Sequence, residues 1–193
     1  NQKGGVGKTT TCVNLAAALK YLGKRVLLCD FDPQANATSG MGVDKSVSNG
    51  VYDVLINGVE TRKAIVTTPY GDVLPSSKAL AGGGVEMIEM ADRQFLLRSA
   101  LDAVREDYDY IFVDCPPIDI VADTQIIEKA TDRTLFVVRA GLLERSMLSE
   151  LENIYREKRF KNLAMILNGT ERSHGRYSYR YGYHYGSYYH SGK

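Results

Sequence analysis

Eight residues near the start of the chain, Lys3-Gly4-Gly5-Val6-Gly7-Lys8-Thr9-Thr10, set three glycines and two lysines directly ahead of a helical pattern. In that pattern Leu15, Leu19 and Leu22 recur at i, i+4 and i+7. Glycine lets successive backbone N–H groups turn to one side, and the helix dipole reinforces them, so the segment suits a phosphate group. Gly4, Gly5, Val6, Gly7 and Thr10 would then line the anion with backbone. Lys8 would reach the β- and γ-phosphates of a nucleotide, and the Thr9 hydroxyl would ligate Mg²⁺. The general phosphate-loop spacing asks for glycine where Gln2 stands, so the loop is a variant.

A loop of this kind belongs at the edge of a buried sheet, and the chain supplies one. Val26-Leu27-Leu28-Cys29, Ile111-Phe112-Val113, Leu135-Phe136-Val137-Val138 and Ala164-Met165-Ile166-Leu167 are short apolar runs without alternation. Such runs are the mark of strands covered on both faces. Between them lie helical patterns at Leu97, Leu101 and Val104, at Ile126, Ile127 and Ala130, and at Leu148, Leu151 and Tyr155. Strands alternating with helices predict an α/β, doubly wound, mainly parallel sheet. From about Asp32 to Val85 the pattern loosens around Gly40, Gly42, Gly50, Gly58, Gly71 and the Gly82-Gly83-Gly84 run. A short helix is expected near Tyr52–Ile56 and a strand at Val73-Leu74. The loop stands at the first residues with no strand ahead of it, so the sheet is expected to lack its first strand, as in a fragment of a longer protein.

Two of the buried runs end in aspartate. They read Leu28-Cys29-Asp30-Phe31-Asp32 and Phe112-Val113-Asp114-Cys115-Pro116-Pro117. Ligands of open α/β sheets bind at the C-terminal ends of the strands, where carboxylates can serve a nucleotide-bound metal. Asp114 is expected to hold Mg²⁺ with Thr9, with Asp30 beside it, and Asp32 to orient the attacking water or nucleophile.

Composition removes other classes. Lys and Arg number 24 against 23 Asp and Glu, a net charge of +1, so no global field points to nucleic acid or a membrane surface. No apolar run approaches the ~18 residues of a membrane span. The opening Asn1-Gln2-Lys3 leads us to expect no signal peptide, and Cys12, Cys29 and Cys115 stand far apart in apolar contexts. They are expected to be reduced packing residues of a cytoplasmic protein. The averages conceal the tail. Seven of the 13 tyrosines (Tyr177, Tyr179, Tyr181, Tyr183, Tyr185, Tyr188 and Tyr189) and all three histidines lie in residues 170–193, which contain no Val, Leu, Ile, Met or Phe. A segment with so little to bury is expected to be flexible. The chain thus divides into a nucleotide-binding domain, 1–169, and a Tyr/Gly/His/Arg-rich tail, 170–193.

These residues resemble the deviant Walker-A ATPases. Over residues 1 to about 117 the resemblance is to ParA/Soj-type partitioning ATPases. It rests on Lys3-Gly4-Gly5-Val6-Gly7-Lys8-Thr9-Thr10, on Asp30-Phe31-Asp32-Pro33-Gln34-Ala35-Asn36-Ala37-Thr38, and on Tyr108-Asp109-Tyr110 leading to Asp114-Cys115-Pro116-Pro117. The resemblance implies an ATP- and Mg²⁺-dependent dimerisation switch of the ParA/MinD type. Lys3 would reach the ATP of a partner subunit, Lys8 would act in cis, and Asp32 would prepare the hydrolytic water. From Asp114 onward, Ala122-Asp123-Thr124-Gln125, Phe136-Val137-Val138-Arg139-Ala140-Gly141, Leu167-Asn168-Gly169 and the tyrosines are similar to bacterial tyrosine autokinases. That second resemblance implies an alternative: a kinase whose seven tail tyrosines are phosphoacceptors and whose activator is membrane-anchored. Asn168 sits where the superfamily places an adenine contact. The implied partners are a second copy of the chain and, under the partitioning reading, DNA, whose usual C-terminal binding region is absent. A third reading is a nucleotide-binding fragment with little activity.

Overall fold

All four apolar runs form strands. The computed structural model describes residues 5–88, 90, 92–116, 121–143 and 146–170. Its strands are β1 (Val26–Asp30), β2 (Val66–Thr68), β3 (Gly71–Leu74), β4 (Tyr110–Asp114), β5 (Thr134–Arg139) and β6 (Leu163–Asn168). Its α-helices are α1 (Lys8–Tyr21), α2 (Asn36–Gly40), α3 (Val51–Leu55), α4 (Thr61–Ala64), α5 (Leu80–Ile88), α6 (Leu96–Asp102), α7 (Val121–Ala130) and α8 (Ser146–Arg156).

Four strands make one sheet in the order β2-β3-β1-β4, and β5 and β6 pair separately. β1 runs parallel to both β3 and β4, β5 runs parallel to β6, and among the described strands only β2 is antiparallel. All five residues of β1 are buried. Alternate β1 side chains enter different clusters: Val26 and Leu28 join Ala16 of α1 and Met41, whereas Leu27 and Cys29 join Leu97 and Leu101 of α6 and Ile126 of α7. A strand with core on both faces is what the unalternating run requires. The doubly wound architecture is therefore present.

Three local expectations change. β2, Val66-Thr67-Thr68, carries no apolar run that would announce a strand; it forms by pairing Val66 with Val73 and Thr68 with Gly71 across a tight connection. The Gly82-Gly83-Gly84 run lies inside helix α5, where looseness was expected. The reason is packing: a β-carbon at Gly83 would meet Tyr52 Cδ2 at 3.0 Å, so glycine lets α5 approach α3. Leu22, expected on the core stripe of α1, is 69% exposed because the helix ends at Tyr21.

β4 and β5 share no ladder among the described residues, and a cavity of about 600 Å³ lies between them. Consecutive residues of both strands line it, among them Phe112, Val113, Leu135 and Phe136, with Leu15 of α1. Because neighbouring residues point to opposite faces, the cavity runs along strand edges. Among the described residues, no helix is long and apolar enough to cross a membrane.

Candidate functional site

The phosphate loop enters α1 through two glycines in the left-handed region, Gly5 at φ 76° and Gly7 at φ 96°. Both conformations are strained for a residue with a β-carbon. Val6 between them is buried at 3% exposure and anchors the loop to the body. Gly7 caps the helix, and its carbonyl accepts a 2.9 Å bond from the Thr11 N–H. The N–H groups of the first turn remain for an anion.

The carboxylates arrive through sheet register. Asp30 and Asp114 are direct partners in the parallel β1–β4 ladder, so both strands end at one level. The Phe31 N–H extends the pairing with a 2.8 Å bond to the Asp114 carbonyl. Asp114 is 3% exposed, and its Oδ2 accepts a 2.7 Å bond from the Thr9 hydroxyl on the first turn of α1. Burial pushes its carboxyl up to about 6; the charges of Asp30 and Asp32 add to the rise, while the Thr9 hydrogen bond and Lys8 oppose it. A buried carboxylate beside a hydroxyl, both hard oxygen donors, fits Mg²⁺, which is bound through few protein oxygens and completes its shell with water and phosphate.

Asp30, expected beside the metal with Thr9 and Asp114, is also engaged by donors of the protein itself. It is fully buried; its Oδ2 accepts 2.7 Å bonds from both the Thr38 N–H and the Thr38 hydroxyl, and its Oδ1 accepts from the Asp32 N–H at 3.2 Å. Thr38 Oγ1 in turn accepts from the Ser76 N–H at 2.9 Å. Donors already occupy both carboxylate oxygens, so Asp30 ties the segment 32–38 to the end of β1. Burial raises its pKa, and those hydrogen bonds oppose the rise. Asp32 is half-buried at the start of that segment, where its Oδ1 accepts from the Gln34 N–H at 2.9 Å.

From the other ladder, β5 and β6 send their last side chains to the loop. Asn168 Nδ2 donates to the Val6 carbonyl at 2.9 Å, and Arg139 Nη1 donates to the Gly5 carbonyl at 3.2 Å. A β-carbon on Gly7 would collide with the Asn168 amide. Asn168, expected at the adenine, is thus bonded to the loop backbone. Arg139 was not expected at the site; its sequence signals were its place at the end of a buried run and in the Phe136–Gly141 stretch.

Lys8, Thr9 and Thr10 begin α1, while Lys3 and Gly4 and the seven tail tyrosines lie outside the described residues. Cys12, Cys29 and Cys115 are free thiols, and burial pushes Cys115 up to about 12, which leaves it protonated and unreactive. Among the described residues, no group of three or more His, Cys, Asp or Glu is placed to hold a metal.

The model of the AAA domain family matches residues 1–166. The Bacillus subtilis sporulation initiation inhibitor protein Soj is 52% identical over 120 residues, which is 61% of this chain and 47% of that protein. The chromosome partitioning protein ParA of Caulobacter vibrioides is 45% identical over 122 residues, 61% of this chain and 46% of its own length. The chain spans about half the length of these relatives. Among solved structures, cobyrinic acid a,c-diamide synthase from Mycobacterium smegmatis, with bound ATP analog and magnesium, is 34% identical with a TM-score of 0.75. That alignment covers 86% of this chain and 69% of the synthase. A plasmid partition protein from Borrelia burgdorferi, 24% identical with a TM-score of 0.75 over 90% of this chain and 77% of its own, shares the fold. The family match runs past Asp114–Pro117, where the autokinase resemblance was expected to take over.

Proposed function

The chain belongs to the AAA domain family, and on that premise we propose that it is a Mg·ATP-dependent ATPase that acts as a dimerisation switch of the ParA/Soj kind. The observation that carries the reading is the 2.7 Å bond between the Thr9 hydroxyl and Asp114, beside the loop whose glycines turn into the helix N-terminus. The names of Soj and ParA relatives support partitioning as the setting, and the ATP analog and magnesium in the synthase structure support the ligands.

Loop N–H groups and the α1 N-terminus hold the phosphates, and Lys8 neutralises charge that develops on the transferred group. Thr9 and Asp114 hold the metal, which when bound screens the phosphate oxygens. Asp32 orients the attacking water, kept in place by the Asp30–Thr38 anchor behind it. Lys3 reaches the nucleotide of a second copy, so that ATP favours the dimer. Residues 1–169 form the switch, residues 170–193 an appended tail, and the location is cytoplasmic. The autokinase alternative retains as its support Leu167-Asn168-Gly169 and the tail tyrosines, which lie beyond the residues that the family model matches.

Phosphate release from Mg·ATP tests the reading. The intact chain turns over, and Lys8→Ala loses on the order of 100-fold, the usual cost of removing one preorganised donor. Turnover of Lys8→Ala equal to that of the intact chain at saturating ATP would reject it.

A further inference from the structure

Two donors from the β5–β6 ladder converge on consecutive carbonyls of the loop. Arg139 Nη1 bonds Gly5 O at 3.2 Å and Asn168 Nδ2 bonds Val6 O at 2.9 Å. The two residues are themselves register partners, the last pair of the ladder, and the Ala140 N–H closes it with a 2.8 Å bond to the Asn168 carbonyl. Asn168 is held at its other end too, since its Oδ1 accepts from the Gly169 N–H at 2.8 Å. That bond also fixes which end of the amide faces Val6. Gly169, at φ 68°, leaves room for the Arg139 stem: a β-carbon there would meet Arg139 Cγ at 3.2 Å.

A trans peptide is planar, and its carbonyl and N–H point in opposite directions. Holding the Gly5 carbonyl outward turns the Val6 N–H inward, and holding the Val6 carbonyl outward turns the Gly7 N–H inward. We propose that Arg139 and Asn168 are positioning residues that hold these two peptide planes, so that the Val6 and Gly7 N–H groups face the triphosphate before it binds. The pair makes no contact with the base in this role. The inference rests on the phosphate-loop reading of the site and adds a further requirement: the ends of β5 and β6 set phosphate affinity.

Equilibrium binding of ATP and of inorganic triphosphate to the full chain separates this role from an adenine contact. Asn168→Ala weakens both ligands by the same factor, about tenfold, the worth of one lost hydrogen bond at the upper end of its range. The thermal midpoint of the ligand-free chain falls by only a few degrees, because the residue is exposed and the bonds it loses are local. Asn168→Leu, which fills the space without a donor, gives the same result and decides the matter if the alanine variant does not fold. Arg139→Ala lowers both affinities at about 0.5 M salt, where the direct attraction of its charge for the anion is screened. A loss confined to ATP would overturn the proposal in favour of base contact, and unchanged affinity for both ligands would overturn it outright. Binding of neither ligand by the unaltered chain would reject the phosphate-loop reading, and the positioning role with it. Binding by the unaltered chain with indifferent variants would reject the positioning role alone.

Discussion

The four-stranded sheet and the β5–β6 pair serve one site by different physical means. β1 is buried along its whole length and divides its side chains between two clusters. β6 leaves Met165 58% and Leu167 59% exposed, and β5 leaves Leu135 46% exposed. The carboxylates Asp30 and Asp114 stand in the first region, at 0% and 3% exposure. A buried carboxylate is costly, and only a tightly packed frame with supplied donors holds it in place. The second region contributes neutral and cationic donors from its strand ends, which water solvates well and which need no such core.

Substitution at matched leucines gives the largest contrast. Leu27→Ala in β1, where the side chain is fully buried, is expected to destabilise by about 3 kcal/mol in urea titration. A loss under about 1 kcal/mol there would mean that the four-stranded sheet is not the better packed half.

Next comes the buried acid. Asp114 titrates at about 6 in the folded chain against 3.8 as the ordinary value, so its ionisation opposes folding as the pH rises through that window. Each unit corresponds to about 1.4 kcal/mol, so Asp114→Asn stabilises the metal-free chain at pH 7 by roughly 2–3 kcal/mol. The gain shrinks as the pH falls below about 6 and vanishes near 4, a course that paired urea titrations follow. A destabilised Asn variant at pH 7 would show that the carboxylate is better solvated than its burial implies.

Thr38→Ala removes one donor to Asp30 and the acceptor of the Ser76 N–H, and is expected to cost about 2 kcal/mol by thermal unfolding. At the small end, Leu167→Ala on the exposed face of β6 changes stability by less than about 0.5 kcal/mol. A larger loss would show that this face is covered in solution.

The same contrast explains what the sequence disclosed. Runs such as Val26-Leu27-Leu28-Cys29 and Leu135-Phe136-Val137-Val138 announced strands, because burial on both faces forces unbroken apolarity. Gly5, Gly7, Thr9 and Asp114 stood out in the sequence because phosphate and magnesium chemistry favours such residue types at fixed spacing, and the fold brings the Thr9 hydroxyl to Asp114 at 2.7 Å. Asp30 was legible only as a second aspartate at a strand end; the Thr38 that donates to it stands eight positions later with no local signature. Arg139 and Asn168 act through loop carbonyls more than 130 residues away in sequence, a pairing that no local pattern encodes. β2 exists through tertiary pairing alone, and α5 tolerates its glycines because Tyr52 packs against one of them.

The most direct test of the central claim, that Thr9 and Asp114 form a metal subsite at the phosphate loop, is calorimetric titration of ATP with and without Mg²⁺. The intact chain should bind ATP more tightly when Mg²⁺ is present. In Asp114→Asn that gain should fall about tenfold, with metal-free ATP binding unchanged or tighter, since a negative charge beside the phosphates is gone while the loop and Lys8 remain in place. An equal magnesium gain in Asp114→Asn and the intact chain would contradict the account.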